Sequence, residues 1–400
     1  IECLATALSE SSCKPDDLAC ICTDQPFLKQ MEFCVSTNCT IKEALTTQNF
    51  TTTACMAPIR DMTRAINWTA IGGAILALTA VLLRLIQRLP HFGGKFGMDD
   101  VMIIASTAVM IPLSVLSEFC KSIDGLGKDI WTVPFDKITD ILYIYYFDEP
   151  MYISSLALTK ISILFFYLRI FSTRNFRYMV YMLMACDAAY IIGFDFALIF
   201  QCKPINFAWK KWDGEHSGTC VDANAIGWSA AACNIALDLL TIILPLPQIA
   251  KLQLSWGKKI PLLLVFALGF FVTIISCLRI KYIAQFANTQ NVTWDYVPIG
   301  YWSTIEVQLS IIIACCPSLR ALVIYFFPNF TIASTKAYSS KNRTKSSGVS
   351  TSASRLSIMG KDNFLPLQDF DSNTKAPPRP GIRVDQAFDL DSYNRSQGYV

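Results

Sequence analysis

Residues 156–171 read LALTKISILFFYLRIF. One lysine, Lys160, interrupts an apolar run that Arg169 closes. Extended back to Phe147, the run passes the roughly 20 apolar residues that a helix needs to cross the hydrocarbon core. Six further segments have the same character: Ile66–Ile86, Val101–Phe119, Tyr178–Phe200, Ala225–Pro247, Ile260–Ile283 and Ile299–Tyr325. With no water in the bilayer to satisfy backbone groups, each must be helical. The expectation is an all-α fold, a seven-transmembrane helix bundle spanning 61–328. Composition agrees: the chain is 53% hydrophobic and 16% charged, against about one quarter charged in soluble domains. A net charge of +3, with no basic block alternating with aromatics, argues against a nucleic-acid partner.

Lysine and arginine in the short flanks set orientation. One side collects Arg84, Arg88, Lys95, Arg169, Arg174, Arg177, Lys251, Lys258 and Lys259, then Arg320, Lys336, Lys341 and Arg343 after the last span. On the other side Lys121, Lys128, Lys137, Lys203, Lys210 and Lys211 are diluted by Asp124, Asp129, Asp136 and Asp140. The basic side is therefore expected in the cytoplasm, with the N-terminus outside and the C-terminus inside. The sequons at Asn38, Asn49 and Asn291 fall on the outer side as candidate glycosylation sites, while the triplets at Asn329 and Asn342 fall inside.

The chain has 15 cysteines. Cys3, Cys13, Cys20, Cys22, Cys34, Cys39 and Cys55 crowd a polar region, 1–60, as disulfides do in an oxidising compartment. A zinc site there would need thiolates alone, since His91 and His216 lie elsewhere, and no paired CxxC is present. Cys202 and Cys220 flank the second outer loop and are expected to bridge each other, with Cys120 free or competing. The chain begins at Ile1 without Met, as a mature or trimmed product would. Residues 329–400 are rich in Ser, Thr and Lys and are expected to form a disordered cytoplasmic tail. Their serines are candidate phosphosites, and Pro377–Pro380 is a weak SH3-type match.

Two resemblances follow. The stretch CLATALSESSCKPDDLACICTDQPFLKQMEFCVSTNC, closed by Cys55 and most specific at Asp17-Leu18-Ala19-Cys20-Ile21-Cys22, resembles a CFEM domain. That fungal surface module has eight cysteines. By spacing Cys3 looks like its second, which places the first upstream of Ile1. The spans resemble the fungal "rhodopsin-domain" integral-membrane family through GMDD (97–100), DGLGKDIW (124–131), LALTKISILFFYLRIF (156–171), QCKPINFAWKKW (201–212), ALDLLTIILPLPQIAKLQL (236–254), KKIPLLLVFALGFFVTIISCLRI (258–280) and IEVQLSIIIACCPSLRAL (305–322). Many members carry a histidine where Asp129 stands. The resemblance implies a receptor-like plasma-membrane protein with membrane lipid around it, an unknown extracellular ligand and a heterotrimeric G protein as partner. It also implies haem, with Asp17 as the axial ligand of the iron on a platform of Leu18, Ile21 and Phe27. The competing role for Asp16 or Asp17 is a helix cap after Pro15. Retinal is not expected, because the last span lacks the lysine a Schiff base requires.

Charged groups within the spans are costly and seek partners. They are Glu149, Lys160, Asp187, Asp195, Asp238, Arg279 and Glu306. Counting depth from the outer ends places Lys160 and Asp238 together near the middle, with Asp187 as a competitor. The same count places Arg279 and Glu306 together in the outer third. Two ion pairs are expected, as helix-packing devices or as a switch or ligand pocket. Pro245 and Pro247 fall at the cytoplasmic end of the fifth span, where proline can kink the helix, and Arg169 is either an anchor or a G-protein contact. No metal-ligand set or nucleophile–base pair suggests an enzyme, and no internal repeat suggests a transporter. The leading function is a sensor of extracellular or surface cues. The alternative is a haem- or iron-binding surface protein whose spans serve as anchor or conduit. Topology is checked by epitope tags: an N-terminal tag should stain on intact cells and a C-terminal tag only after permeabilisation. Staining of the C-terminal tag on intact cells would rule out this reading.

Overall fold

The computed structural model describes residues 2–326 except 15, 59, 93, 124, 252–255, 287, 288 and 290. Expectations for the tail and Pro15, and for the side chains of Cys120, Lys121, Lys251, Lys258, Lys259 and Arg320, lie outside the described residues. Four helices form the N-terminal module: α1 (Glu2–Glu10), α2 (Leu18–Ile21), α3 (Gln25–Asn38) and α4 (Ile41–Ala54). A unit this small cannot bury enough apolar surface by itself. Among its described residues Ala7, Phe27, Val35 and Leu45 are the buried apolar ones, and covalent links supply the remaining constraint. Cys3–Cys34 joins α1 to α3, Cys13–Cys20 closes the turn before α2, and Cys22–Cys55 ties α2 to the end of α4. Cys39, expected in a disulfide, is unpaired. An odd set of seven thiols leaves one over, and Cys39 is the residue at which α3 stops.

Asp17 caps α2, its Oδ1 accepting the Cys20 N–H at 3.1 Å. Of the apolar platform expected beside it, Leu18 is exposed and Phe27 is buried. Helix α4 starts in a capping box, in which Thr40 Oγ1 accepts from Glu43 N and Glu43 Oε2 accepts from Thr40 N.

The bundle follows: α5 (Thr63–Arg88), α6 (Met98–Ile123), α7 (Phe135–Ile170), α8 (Arg174–Ile199), the short α9 (Phe207–Lys210), α10 (Ala223–Ile243), α11 (Leu246–Lys251), α12 (Trp256–Phe286) and α13 (Val292–Phe326). Seven stretches among the described residues are long and apolar enough to cross a membrane: Thr69–Arg88, Met98–Leu116, Phe135–Ile170, Arg174–Ile199, Ala223–Ile249, Phe266–Gln285 and Val292–Leu319. Between them they bury a core that includes Ala77, Ile103, Met110, Leu156, Val180 and Ile311.

Two of the boundaries that differ from those read in the sequence have a clear physical cause. Helix α7 begins at Phe135, well before Phe147, and its 36 residues extend about 54 Å, far beyond a hydrocarbon core of about 30 Å. Asp136, Lys137 and Asp140 disguise its first turns as loop, yet Ile138 and Ile141 are buried there against Leu126, Ile130, Val133 and Val297. Helix α10 ends at Ile243 because Pro245 lacks an N–H and disfavours helix in the residue before it. The chain restarts as α11. Between α8 and α10 the loop is pinned by Cys202–Cys220, on a two-residue antiparallel ladder pairing Cys202 with Cys220 and Lys203 with Thr219. Gly214 turns the loop with φ +70°, a conformation that favours glycine.

At the end of the bundle opposite the module, Arg84 and Arg88 do not flank the membrane as the sequence suggests. Both are buried. Arg84 donates through Nη2 to Asp99 at 2.8 Å, through Nε to Asp100 at 2.9 Å and through Nη1 to the Ala314 carbonyl at 2.6 Å. Arg88 reaches Asp99 at 2.7 Å and Asp100 at 3.1 Å. Arg169 lies 3.7 Å from Asp99 and donates to the Lys95 carbonyl. The cluster therefore fastens α5, α6, α7 and α13 together. Only a planar fork serves three acceptors this way. Arg84→Lys should lower the melting temperature of the purified chain despite keeping its charge. Arg84→Gln should cost about 3–5 kcal/mol, because two buried carboxylates are then left to share Arg88. Equal melting of the lysine variant and wild type would sink the fork assignment.

Candidate functional site

Inside the bundle five helices contribute polar groups to one continuous layer. Helical spacing places them: Glu149 and Tyr152 on α7, Asp187 and Tyr190 on α8, and Ser276 and Arg279 on α12 are each three residues apart, and Asn234 and Asp238 on α10 are four apart. Such pairs share a face. Lys160 Nζ lies 3.0 Å from Asp238 Oδ1 and donates to Asn234 Oδ1 at 2.5 Å and the Asn234 carbonyl at 3.2 Å. Asn234 Nδ2 donates onward to Glu306 Oε1 at 3.0 Å. Ser276 Oγ donates to the same oxygen at 2.5 Å, and Tyr152 OH donates to Glu306 Oε2 at 2.7 Å. Glu306 is fully buried and accepts all three bonds.

The direct Arg279–Glu306 pair expected from depth is not formed. Both oxygens of Glu306 are occupied, and the Arg279 guanidinium stacks on the Tyr152 ring, 3.9 Å from its centroid, as a cation–π contact. Arg279 still lies within Coulomb range of Glu306 and Glu149. Its Nε has no hydrogen-bond partner. Asp187 does not displace Asp238 on Lys160: it is fully buried, neither of its oxygens is hydrogen-bonded, and it acts on Lys160 only through space. Asp195 accepts from Ser154 at 2.7 Å. Neutral residues, Asn234 above all, complete the layer. Sequence reasoning passed over them because it followed charge, although Asn234 one turn from Asp238 was a usable signal.

A second polar site lies where the module meets the bundle. Arg60 forms an ion pair with Asp129 and lies 4.5 Å from the centroid of the Trp294 ring. Asp129 also accepts from Asn291 Nδ2 at 2.8 Å, while Asn291 Oδ1 accepts the Ile130 N–H at 2.9 Å. At Asn291, expected as a glycosylation site, the nitrogen a glycan would occupy is engaged, and the Thr293 hydroxyl is buried and donates to the Lys128 carbonyl. Asn38 and Asn49 stay exposed on the module. Leu45 of α4 inserts among Leu126, Ile130, Val133 and Ile138. Lys42 lies 2.8 Å from Glu215 and 3.9 Å from Asp213. The hydrogen bond to Glu215 raises the Lys42 pKa. Burial pushes the Asp213 carboxyl up, but hydrogen bonds from His216 and the Glu215 N–H outweigh it and hold the group below the usual carboxylate range. No group of three or more His, Cys, Asp or Glu side chains that could hold a metal ion occurs among the described residues. Asp17 is exposed; its Oδ1 caps α2, which leaves Oδ2 outside the cap, while Phe27 is buried.

These features define a multi-pass, seven-helix membrane protein with a polar layer in its interior and a disulfide-bonded helical module at one end. The fungal rhodopsin domain matches residues 83–325, and the chain belongs to that family; the CFEM domain matches residues 1–56. A SAT4 family membrane protein of Emericella nidulans is 31% identical over 182 residues, 45% of either chain. Receptor GIN3 of Arthrobotrys oligospora is 26% identical over 276 residues, 68% of this chain and 66% of its own. Wortmanamides biosynthesis cluster protein C of Talaromyces wortmannii is 28% identical over 258 residues, 62% of this chain and 66% of its own. This chain thus spans less than half of the first relative and just under two thirds of the other two. No solved structure matches it.

Charge reversal separates the two arrangements in the layer. Lys160→Asp and Asp238→Lys should each reduce surface expression, and the double variant should recover it. Arg279→Glu with Glu306→Arg should not recover, because Tyr152 stands between the partners. A Lys160/Asp238 double variant no better than the singles would remove the pairing.

Proposed function

We propose that this chain is a non-enzymatic receptor of the plasma membrane. Its module faces outward to meet an extracellular or surface cue, and the basic end of the bundle faces a heterotrimeric G protein. The observation that carries this reading is the node of Arg60, Asp129 and Asn291. It ties the module to the start of α13, and α13 carries Glu306 into the polar layer about 20 Å further along and offers the Ala314 carbonyl to Arg84 beyond it. One helix therefore touches the module contact, the buried layer and the charge cluster at the far end. Pro298, inside α13 between node and layer, gives that helix a place to bend. The unbonded Asp187 and Arg279 Nε leave the layer short of full satisfaction. A rearrangement that moves Lys160 toward Asp187 therefore has a partner waiting. The printed name of the Arthrobotrys relative, a receptor, agrees with this role.

The haem-binding alternative rests on the match of residues 1–56 to the CFEM domain and on Asp17, whose Oδ1 is engaged in its cap. The test is nucleotide exchange on a purified fungal Gα, with the full chain in nanodiscs. Wild type should accelerate exchange over empty discs, and Arg60→Ala with Lys42→Ala, which frees the module, should shift that rate. Exchange at the empty-disc rate for folded wild type and variant alike would defeat the G-protein reading.

A further inference from the structure

Helix α8 has two opposite faces. Phe176, Val180, Leu183, Asp187 and Tyr190 are buried in the bundle. The other face stays uncovered and changes character along its length. At the basic end, Arg174, Arg177, Tyr178 and Tyr181 follow one another at helical spacing and, with Ser172, line a cavity of about 280 Å³. Further along the same face come Met182, Ala185, Ala189, Ile192 and Phe196, all exposed. Met182 is 71% exposed and Ile192 62%.

We propose that this face binds one anionic phospholipid, with a phosphomonoester headgroup in the Arg174/Arg177 cavity and acyl chains along the stripe beyond it. Charge complementarity names the occupant. Neither arginine has a carboxylate partner among the described residues, and no acid lines the cavity. Tyr178 steadies Arg174, its ring centroid 5.9 Å from the guanidinium carbon, with a 3.5 Å contact from Nη2 to the hydroxyl. Two guanidinium groups and three hydroxyls offer more donors than a phosphodiester can accept, and they suit the extra charge and oxygens of a phosphomonoester. A soluble phosphate would use the cavity alone. The apolar stripe continuing from it along one helix face selects a molecule with a charged head and long chains. Ala185 and Ala189 keep that stripe shallow, so chains can lie against the helix. On the orientation proposed above, the cavity opens to the cytoplasmic leaflet, where anionic lipids concentrate.

The test is native mass spectrometry of the full chain in detergent, titrated with phosphatidylinositol 4-phosphate or phosphatidylinositol. The phosphorylated lipid should bind more tightly, and R174Q/R177Q should weaken it about thirtyfold, as expected for two basic groups at an anionic surface. K210Q/K211Q removes the same charge at the other end of the bundle and should change nothing. A185W/A189W leaves both arginines in place. It should weaken the lipid while sparing soluble inositol 1,4-bisphosphate. Adducts that survive R174Q/R177Q would overturn the site. Equal binding of the two lipids would overturn the phosphomonoester, and equal competition by the soluble headgroup would overturn the lipid. None of these outcomes depends on G-protein coupling.

Discussion

A charge in hydrocarbon must be neutralised or hydrogen-bonded, and this chain keeps several there. That constraint decides which helices can be neighbours. Lys160 requires Asp238 and Asn234, so α7 must lie against α10. Glu306 requires Tyr152, Asn234 and Ser276, so α13 must meet α7, α10 and α12 together. Arg84 requires Asp99, Asp100 and the Ala314 carbonyl, which fixes α5, α6 and α13 at the far end. Apolar packing between helices in lipid is far less selective, because lipid tails compete for the same contacts.

The module is held by a different principle. Its interior is too small to specify one arrangement, so three disulfides fix its helices, and its docking adds what its core lacks. Leu45 contributes to an apolar cluster made mostly by the bundle's own loops and the projecting turns of α7. Ion pairs at Lys42 and Arg60 flank that insertion. The excess length of α7 therefore acts as a pedestal, carrying the module's seat clear of the bilayer.

Much of this was legible in the sequence, and the failures have physical causes. Span number and the closeness of Lys160 to Asp238 followed from apolar run length and depth, because both depend on distance along a helix. Depth alone misjudged Arg279 and Glu306, since it cannot show a neutral tyrosine standing between two charges. The same blindness to neutral groups hid Asn234. Arg84 and Arg88 were read as flanks because arginine at a span end usually is one. Their burial depends on Asp99 and Asp100 arriving from the next helix, a tertiary fact. Asn291 has the letters of a sequon, but its contact with Asp129 across a loop is one that no local pattern encodes.

The pairing of Arg84 and Arg88 with Asp99 and Asp100 also imposes an order of events during biosynthesis. Both arginines leave the ribosome before the acids that silence them; Arg88 precedes Asp99 by 11 residues, an interval on the order of a second at ordinary elongation rates. In that interval they are bare cations at the end of the first span, able to hold it in place at the insertion machinery. Once α6 enters, the same charges become internal ties and no longer mark a side of the membrane. On the orientation proposed above, the signal these arginines give is thus used up as the bundle assembles.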